Sequence, residues 1–403
     1  MKSIRDVYKI GKGPSSSHTM GPERAAKLFL QRYPDAERYR VVLYASLAKT
    51  GRGHGTDRVL YEVLGKGRTE VVFSDDSPAD LPHPNTLDFF AYRGEEEIGT
   101  MRVLSIGGGD IVVDGQDAAA AEEIYPENSF AEIEQFCRWR YITLSEYVEL
   151  NEGPEIWDFL TEIWDTMKKA IADGLSASGV LPGGLQVERK AKRLYSQEKE
   201  NELPQIRELR LVCSYAFAIA EQNADNGTIV TAPTCGSAGV LPSVLLYMQQ
   251  RHNIPDRKVH EALAVAGLFG SIVKRNASIS GAECGCQAEI GTACSMAAAA
   301  LCYLMDKSIN ETEYAAEIAM EHQLGLTCDP ICGLVQIPCI ERNAVAAKRA
   351  IDAFNLSSLL CGTRNISFDM VVRTMKETGI HISDQYRETS EGGLARLYNR
   401  RKA

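Results

Sequence analysis

The pattern of apolar positions changes character near residue 154. Beyond that point apolar side chains recur every three or four positions, which predicts amphipathic helices, and the alternation typical of strands is almost absent. The segments with helical spacing are 156–172, 206–222, 237–250, 257–275, 288–305, 311–323 and 342–355. This part of the chain is therefore predicted to be nearly all α-helix, with functional loops between the helices.

The first part of the chain, to about residue 114, has a mixed pattern. Apolar residues at helical spacing predict one helix, and short β-branched segments predict three strands. The helix is expected at 22–33 and the strands at 39–45, 70–73 and 100–105. Glycine, proline and aspartate clusters predict turns between them at 51–55, 75–84 and 107–109.

The two patterns together predict an α+β protein with two domains. Residues 116–153 are rich in glutamate and look like a polar, partly helical connector. We therefore expect a small N-terminal α/β domain over residues 1–150 and a larger all-α catalytic domain over residues 151–403.

Composition excludes several classes of protein. The 403 residues are 44% apolar and carry a net charge of -10, and the basic run 396–402 is expected to be a solvated tail, so nucleic-acid binding is not expected. The longest apolar segment, 292–305, is short for a membrane span and predicts a tightly packed internal helix. The first residues lack the apolar stretch of a secretion signal, and we expect a cytoplasmic protein without membrane contact.

The 11 cysteines are odd in number, which disfavours a disulfide scaffold. Five of them, Cys284, Cys286, Cys328, Cys332 and Cys339, lie in glycine- or proline-bearing loops just before predicted helices. Thiolates placed in this way can bind zinc or an iron–sulfur cluster, although the spacing is not that of a zinc ribbon. The alternative is that they are buried structural cysteines.

Two polar loops of the first domain each carry a histidine. Residues 13–19 place three serines and Thr19 around His18 just before a predicted helix, an arrangement suited to a carboxylate ligand or, alternatively, to an ordinary helix cap. Residues 49–57 place His54 among three glycines, but they lack the Gly-Lys-Ser/Thr triplet of a phosphate loop. A mobile active-site loop and a simple turn both remain open for this second segment.

Polar loops also occur in the second domain, at 231–237 and 276–280. The isolated histidines are expected to be surface or packing residues, and they are His83, His252, His260 and His381.

Taken together, these segments resemble the iron–sulfur-dependent L-serine dehydratases of bacteria, also called L-serine ammonia-lyases. The similar blocks cover almost the whole chain, at 13–19, 50–57, 105–109, 231–234, 277–282, 285–287, 320–330, 336–344 and 386–390. The resemblance implies a [4Fe–4S] cluster held by Cys286, Cys328 and Cys339, and it makes Cys284 and Cys332 extra cysteines. Three protein ligands would leave one iron open to act as a Lewis acid on a β-hydroxyl.

The resemblance also implies roles for polar residues around a small amino-acid substrate. His18 and His54 are the candidate general bases, which requires a site at the domain junction. On the small-domain side the expected substrate-binding residues are Ser16, Ser17 and Thr19. On the helical side they are Thr234, Asn276 and Ser278.

The chain departs from the family pattern at two places. Relatives often carry a cysteine in the C-terminal tail that can occupy the open iron, whereas no cysteine follows Cys361 here, and greater oxygen sensitivity is expected. Cys235 stands where relatives have other small residues, and near the cluster it is a candidate substitute ligand or a residue that alters substrate choice.

The open alternatives are a lyase for another β-substituted amino acid, such as threonine or cysteine, and a non-catalytic zinc-binding or redox-sensing protein. A relative that has lost catalysis is disfavoured by the intact set of three cysteines. A homodimer is the working expectation for assembly.

Overall fold

The computed structural model describes residues 1–76, 78, 80–115, 123–198, 200–360 and 362–402. Part of the predicted connector, residues 116–122, and Cys361 lie outside these described residues. The protein has the predicted α+β class, with a small sheet near the N-terminus and a larger helical body. None of the described helices is long and apolar enough to cross a membrane.

The strands form a mixed sheet and a separate two-stranded ladder. They are β1 (Ile10–Lys12), β2 (Arg38–Leu43), β3 (Thr69–Phe73), β4 (Thr86–Arg93), β5 (Glu96–Gly107), β6 (Asp110–Val113) and β7 (Thr228–Val230). Among the described residues the main sheet has the order β3-β2-β4-β5-β6, with only β2 and β3 parallel. The short ladder pairs β1 of the small domain with β7 of the helical body.

Alternation explains why the main sheet forms where it does. In β2, Tyr39, Val41 and Leu43 are fully buried, and the residues between them face outward. The three predicted strands are confirmed as β2, β3 and part of β5, whereas β4 and the short strands β1, β6 and β7 were not predicted. Several β4 residues on both faces are buried, so its sequence lacks the alternation of a half-exposed strand.

The described helices fall into two groups along the chain. The small domain contains α1 (Gly21–Arg32), α2 (Ala45–His54) and α3 (Thr56–Leu64). The larger body contains α4 (Phe130–Arg140), α5 (Leu144–Glu152), α6 (Ile156–Ser176), α7 (Ala191–Tyr195), α8 (Pro204–Ala224), α9 (Val240–His252), α10 (Asp256–Asn276), α11 (Gly281–Cys284), α12 (Thr292–Leu304), α13 (Ile309–Glu321), α14 (Cys339–Leu359), α15 (Phe368–His381) and α16 (Gly393–Lys402). All seven helices predicted beyond residue 154 are confirmed.

One predicted feature of the chain was wrong. The turn expected at 51–55 is the end of helix α2, which continues through Gly51 and Gly53 and stops at Gly55, where φ is +67°. Glycine dominates the local sequence there, and contacts with distant residues decide the structure. The solvated tail expected at 396–402 is helical, as the end of α16, and its residues Arg396, Leu397 and Asn399 are exposed.

Helix α12 lies at the centre of the larger core. Its residues 296–302 are fully buried, and the run of alanines lets α10, α13 and α14 pack closely around it. This confirms the prediction of a tightly packed internal helix.

Hydrophobic contacts divide the chain into two cores. The smaller core lies between the sheet and helices α1–α3, and the larger one joins helices from α4 onward. The first residues, including Ile4, Val7 and Tyr8, pack into the larger core, as do α4 and α5. Because these segments precede residue 150, the domain division at that position remains a prediction.

Candidate active site

The three cysteines expected to bind metal come from separate elements of the larger body. Cys286 directly precedes a π-helical turn at Gln287–Gly291, Cys328 lies in the loop after α13, and Cys339 is the first residue of α14. The thiols of Cys286 and Cys328 form a hydrogen bond with each other. Arg342, one turn further along α14 from Cys339, interacts electrostatically with all three thiols.

The three thiols influence one another's charge, with Cys286 and Cys328 buried and Cys339 partly exposed. The hydrogen bond from Cys328 lowers the pKa of Cys286 to about 6 despite its burial, and Arg342 acts in the same direction. The same hydrogen bond and burial raise the pKa of Cys328, and burial raises that of Cys339. The guanidinium therefore balances negative charge on thiolates, which is what a metal site of this kind requires.

The surroundings of these thiols fit a thiolate-bound metal group. At Gly281, a Cβ atom would lie 3.2 Å from the sulfur of Cys328 and 2.8 Å from Oε2 of Glu289, so the glycine keeps the space beside the thiol open. The other two clustered cysteines point elsewhere. Cys284 packs against Gly379 of α15, and Cys332 is exposed beside Asn399.

Both candidate histidines are buried side by side in the small domain. Their ring centroids are 4.5 Å apart, and at most 1% of either residue is exposed. His18 lies in a π-helical turn, Ser16–Met20, that is capped by Ser15, and His54 is the last residue of α2. Thr19 Oγ1 donates a hydrogen bond to the carbonyl of His54 over 2.9 Å, which joins the two loops.

Hydrogen bonds assign the protons on both rings. Nδ1 of His54 lies 3.0 Å from the carbonyl oxygen of Thr50 and must donate to it, so Nε2 carries the lone pair. That Nε2 atom is buried and has no hydrogen-bond partner among the described residues. Burial lowers the pKa of His54 to about 4, and this ring is therefore a neutral base with a free acceptor atom.

His18 is held in the opposite tautomer. Ser46 Oγ donates to the carbonyl of Glu388 over 2.8 Å, so it accepts from Nε2 of His18 at 3.1 Å. Nδ1 of His18 then accepts from Ser17 Oγ at 2.9 Å. Burial, followed by the nearby His54, lowers the pKa of His18 well below its usual value.

A carboxyl group that was not predicted connects the histidines to the cysteines. Oε1 of Glu388 lies 3.5 Å from Nδ1 of His18 and 3.8 Å from Nε2 of His54. The backbone N–H of Glu388 donates to the carbonyl of Cys328 over 2.7 Å. Burial raises the pKa of Glu388 well above its usual range, with Glu289 and Cys286 acting in the same direction.

Four of the six predicted substrate-binding residues lie next to the histidines or next to Glu289 on the cysteine side. Ser16, Ser17 and Thr19 are buried in the turn that holds His18, and Thr234 donates to Oε1 of Glu289 over 2.7 Å on the cysteine side.

The other two predicted substrate-binding residues, Asn276 and Ser278, make their hydrogen bonds elsewhere. The amide of Asn276, at the end of α10, donates to the carbonyl of Asn128, and the hydroxyl of Ser278 donates to Glu283. His83, expected to be a surface or packing residue, is largely buried and bonds to the same Glu283.

Sequence reasoning missed Arg342, Glu289, Ser46 and Glu388. Two of them carried a usable signal, because Arg342 and Glu289 each follow a candidate cysteine by three positions, a spacing at which helical side chains are neighbours. Burial raises the pKa of Glu289 to about 8, and Cys286 adds to this effect. Glu388 lies within the similar block 386–390, but nothing in that block singles it out, and Ser46 lies in none of the blocks. The two residues meet across 342 positions of the chain.

The fold and this site define a class of protein: an α+β chain in which a pair of buried, neutral histidines and a set of clustered thiols are linked through one buried glutamate. Comparison with known protein families identifies the family to which the chain belongs. The model described as "Serine dehydratase alpha chain" matches residues 104–395, and "Serine dehydratase beta chain" matches residues 3–67. The chain belongs to the serine dehydratase family.

Individual relatives match over nearly their whole length. L-serine dehydratase of Streptomyces coelicolor is 40% identical over 448 aligned positions, covering 98% of each chain. L-serine dehydratase 1 of Escherichia coli K12 is also 40% identical, over 98% of this chain and 99% of its own. L-serine dehydratase of Helicobacter pylori is 35% identical over 98% of each chain. Since the alignments exceed the 403 residues of this chain, these relatives contain stretches with no counterpart here.

Proposed function

We propose that this protein is a lyase that dehydrates and deaminates L-serine to pyruvate and ammonia, using a [4Fe–4S] cluster held by Cys286, Cys328 and Cys339. The observation that carries the proposal is the position of Glu388, which touches both histidines through its side chain and Cys328 through its backbone. Family membership supplies the reaction and the amino-acid substrate.

The three thiols, with Arg342 as their counter-charge, would hold the cluster. When bound, a cluster with three protein ligands supplies a Lewis acid for the hydroxyl end of the substrate. The proposal places the protein in the cytoplasm, where reducing conditions keep these thiols free.

His54 is the proposed general base. Its Nε2 is unprotonated, has no partner among the described residues and is fixed in direction by the bond from Nδ1 to Thr50. It would take the proton from Cα while the Cβ–O bond breaks and the oxygen leaves with the bonding pair as hydroxide, which gives 2-aminoacrylate. The proton held on Nε2 of His54 and this hydroxide together make up the water that is released. The 2-aminoacrylate becomes an imine, and hydrolysis of the imine yields pyruvate and ammonia.

His18 and Glu388 would fix the position of this base. His18 is held from both sides by Ser17 and Ser46, and its ring stacks near that of His54. The Glu388 carboxyl, kept protonated by burial, can hold its proton toward either ring nitrogen. The hydroxyls of Ser16, Ser17, Thr19 and Thr234 remain the proposed contacts for the polar groups of the substrate.

The test measures the iron–sulfur content and the turnover of L-serine in one preparation. Protein purified without oxygen should contain about four irons with matching sulfide and release pyruvate from L-serine. Exchange of any one of Cys286, Cys328 or Cys339 for Ser should lower iron content and abolish pyruvate release, because each removes one of only three ligands.

Cys284→Ser and Cys332→Ser are the matched controls and should keep both properties. A colourless, zinc-loaded protein that stays inactive after reconstitution would contradict the proposal. An iron-loaded protein active on threonine or cysteine but not on serine would correct the substrate.

A further inference from the structure

The histidine pair is closed off from solvent, so a substrate must approach it through a neighbouring space. A cleft of about 670 Å³ lies directly outside, within the size range of small-molecule sites. It is lined by the small domain, the helical body and the C-terminal loop, including Ser46, Lys376, Arg387 and Thr389. Three parts of the chain therefore meet around one opening.

Only one layer of residues separates this cleft from the buried pair. Ser46 lines the cleft, and its hydroxyl accepts from His18 and donates to the carbonyl of Glu388. Arg387 and Thr389 line the cleft on either side of Glu388 in the sequence. A molecule bound in the cleft therefore lies next to the groups that hold the proposed base.

One wall of the cleft carries a fixed carboxylate. Glu283 accepts hydrogen bonds from Ser278 and from Nε2 of His83, the latter over 2.8 Å, and 35% of its side chain remains exposed. His83 is oriented in turn by the N–H of Asn85, which donates to Nδ1 over 3.0 Å. This carboxylate is suited to an ammonium group.

Two cations line the same cleft. Lys376, exposed on α15, forms no ion pair with any residue that the structure describes. Arg387 donates to the carbonyl of Glu283 over 3.1 Å and pairs with Asp384, while its buried Nε lacks a partner within the described part of the chain. These donors are suited to a carboxylate, and they lie beside the group suited to an ammonium.

We infer that this cleft is an outer binding site for a free α-amino acid, with Lys376 and Arg387 receiving its carboxylate and Glu283 its ammonium, from which the substrate passes to the histidine pair. The inference rests on the proposed function for the class of ligand. It assigns a capture role to side chains that touch neither the histidines nor the three thiols.

The experiment compares Lys376→Gln with Arg373→Gln in the anaerobic holoenzyme. Arg373 is exposed on the same helix but does not line the cleft, so it controls for loss of one positive charge. L-Alanine, a zwitterion without a hydroxyl to eliminate, is titrated calorimetrically. We expect Lys376→Gln to weaken its binding about fivefold and to lower kcat/KM for L-serine by a similar factor with kcat unchanged. Lys376→Glu should weaken both further.

The outcomes separate this site from the proposed function. Normal binding and kcat/KM in both Lys376 variants would overturn the outer site while leaving the lyase in place. Binding of L-alanine that depends on Lys376, in a protein that never releases pyruvate, would support the site and overturn the proposed function. Unchanged thermal midpoints in the variants would show that folding is intact.

Discussion

At the scale of single residues, the protonation of the site follows from which hydrogen bonds are already made. His54 and His18 are the same residue type, but only His54 presents an unshared acceptor atom among the described residues. The two rings differ because, within the described part of the chain, the His54 ring bonds only to the carbonyl of Thr50, whereas both nitrogens of His18 bond to hydroxyls, those of Ser17 and Ser46. Sequence identifies both histidines as candidates, and only the structure separates their roles.

The first prediction concerns the proposed role of His54 as general base. His54→Gln should lower kcat for L-serine by at least about 100-fold, because the amide cannot accept the Cα proton. Iron and sulfide content should stay unchanged, because no hydrogen bond among the described residues joins the His54 side chain to a cysteine thiol. His381→Gln, at an exposed position on α15, is the matched control and should retain full turnover. Near-normal kcat in His54→Gln would remove this residue from the proton transfer.

Residue-level prediction reached the cysteines and histidines because each lies in a short motif with a chemical meaning. It failed at Glu388 and Ser46, whose partners lie hundreds of positions away. The role predicted for Asn276 stays a prediction, because a polar loop residue does not reveal its direction from sequence, and in the structure its amide donates to the carbonyl of Asn128.

At the scale of elements, helix α2 connects the small domain to the cysteine loop. Its Gly53 lies against the turn at Ile331–Gly333, where a Cβ atom would meet the carbonyl oxygens of Gly333 at 2.5 Å and Cys332 at 2.7 Å. The next residue along α2 is His54, so this contact holds the His54 ring near the loop between Cys328 and Cys339. Glycine is required here by close approach and not by an unusual backbone angle.

The second prediction tests that contact. Gly53→Ala should destabilise the protein by about 1–2 kcal/mol, because the collision with backbone atoms outweighs the gain in helix propensity. It should also lower kcat by moving His54 away from the cysteine loop. Gly67→Ala, at a position with nothing within 4 Å of the added atom, should change stability by less than about 0.5 kcal/mol. Urea denaturation and turnover measure both effects, and equal results for the two variants would rule out the contact.

The elements themselves were predicted unevenly. The long helices were accessible because each repeats its apolar spacing over several turns, as in α6 and α14. Helix α2 was not, because three glycines among residues 51–55 resemble a turn, and contacts with Gly333 and Phe73 compensate for their low propensity. Strand β4 was missed because burial on both faces removes its alternation.

At the scale of the whole molecule, the site exists only when distant parts of the chain are assembled. The small domain supplies the histidines, the helical body supplies the thiols, and the segment before α16 supplies Glu388. Two uncharged histidines buried at this junction make the stability of the folded protein depend on pH.

The third prediction gives the sign of that dependence. Burial holds the pKa of His54 near 4 in the folded protein, against 6.5 for the free side chain. Above pH 6.5 the ring is neutral in both states and contributes nothing. Below pH 6.5 the unfolded chain binds a proton that the folded chain refuses, so stability decreases by about 2 kcal/mol by pH 5. His18 acts in the same direction.

Urea denaturation of wild type and His54→Gln between pH 8 and pH 5 measures this effect. The variant should lose less stability than wild type as the pH falls, because it lacks one titrating group. Parallel curves for the two proteins would show that His54 is not buried in its neutral form.

The path of the chain between the two cores has a consequence for the order of folding. The first residues lie in the larger core, where the hydroxyl of Tyr8 donates to the carbonyl of Leu263 over 2.8 Å, and the chain then leaves to build the sheet before it returns. During synthesis the sheet can close on itself early, because β2 to β6 are neighbours in sequence. The first residues find some partners at Tyr125 and Glu152, but Tyr8 must wait for some 250 later residues before Leu263 leaves the ribosome. A newly made chain would thus carry a finished small domain joined to an opening segment whose place in the larger core is incomplete, and chaperone binding is most useful to it during that interval.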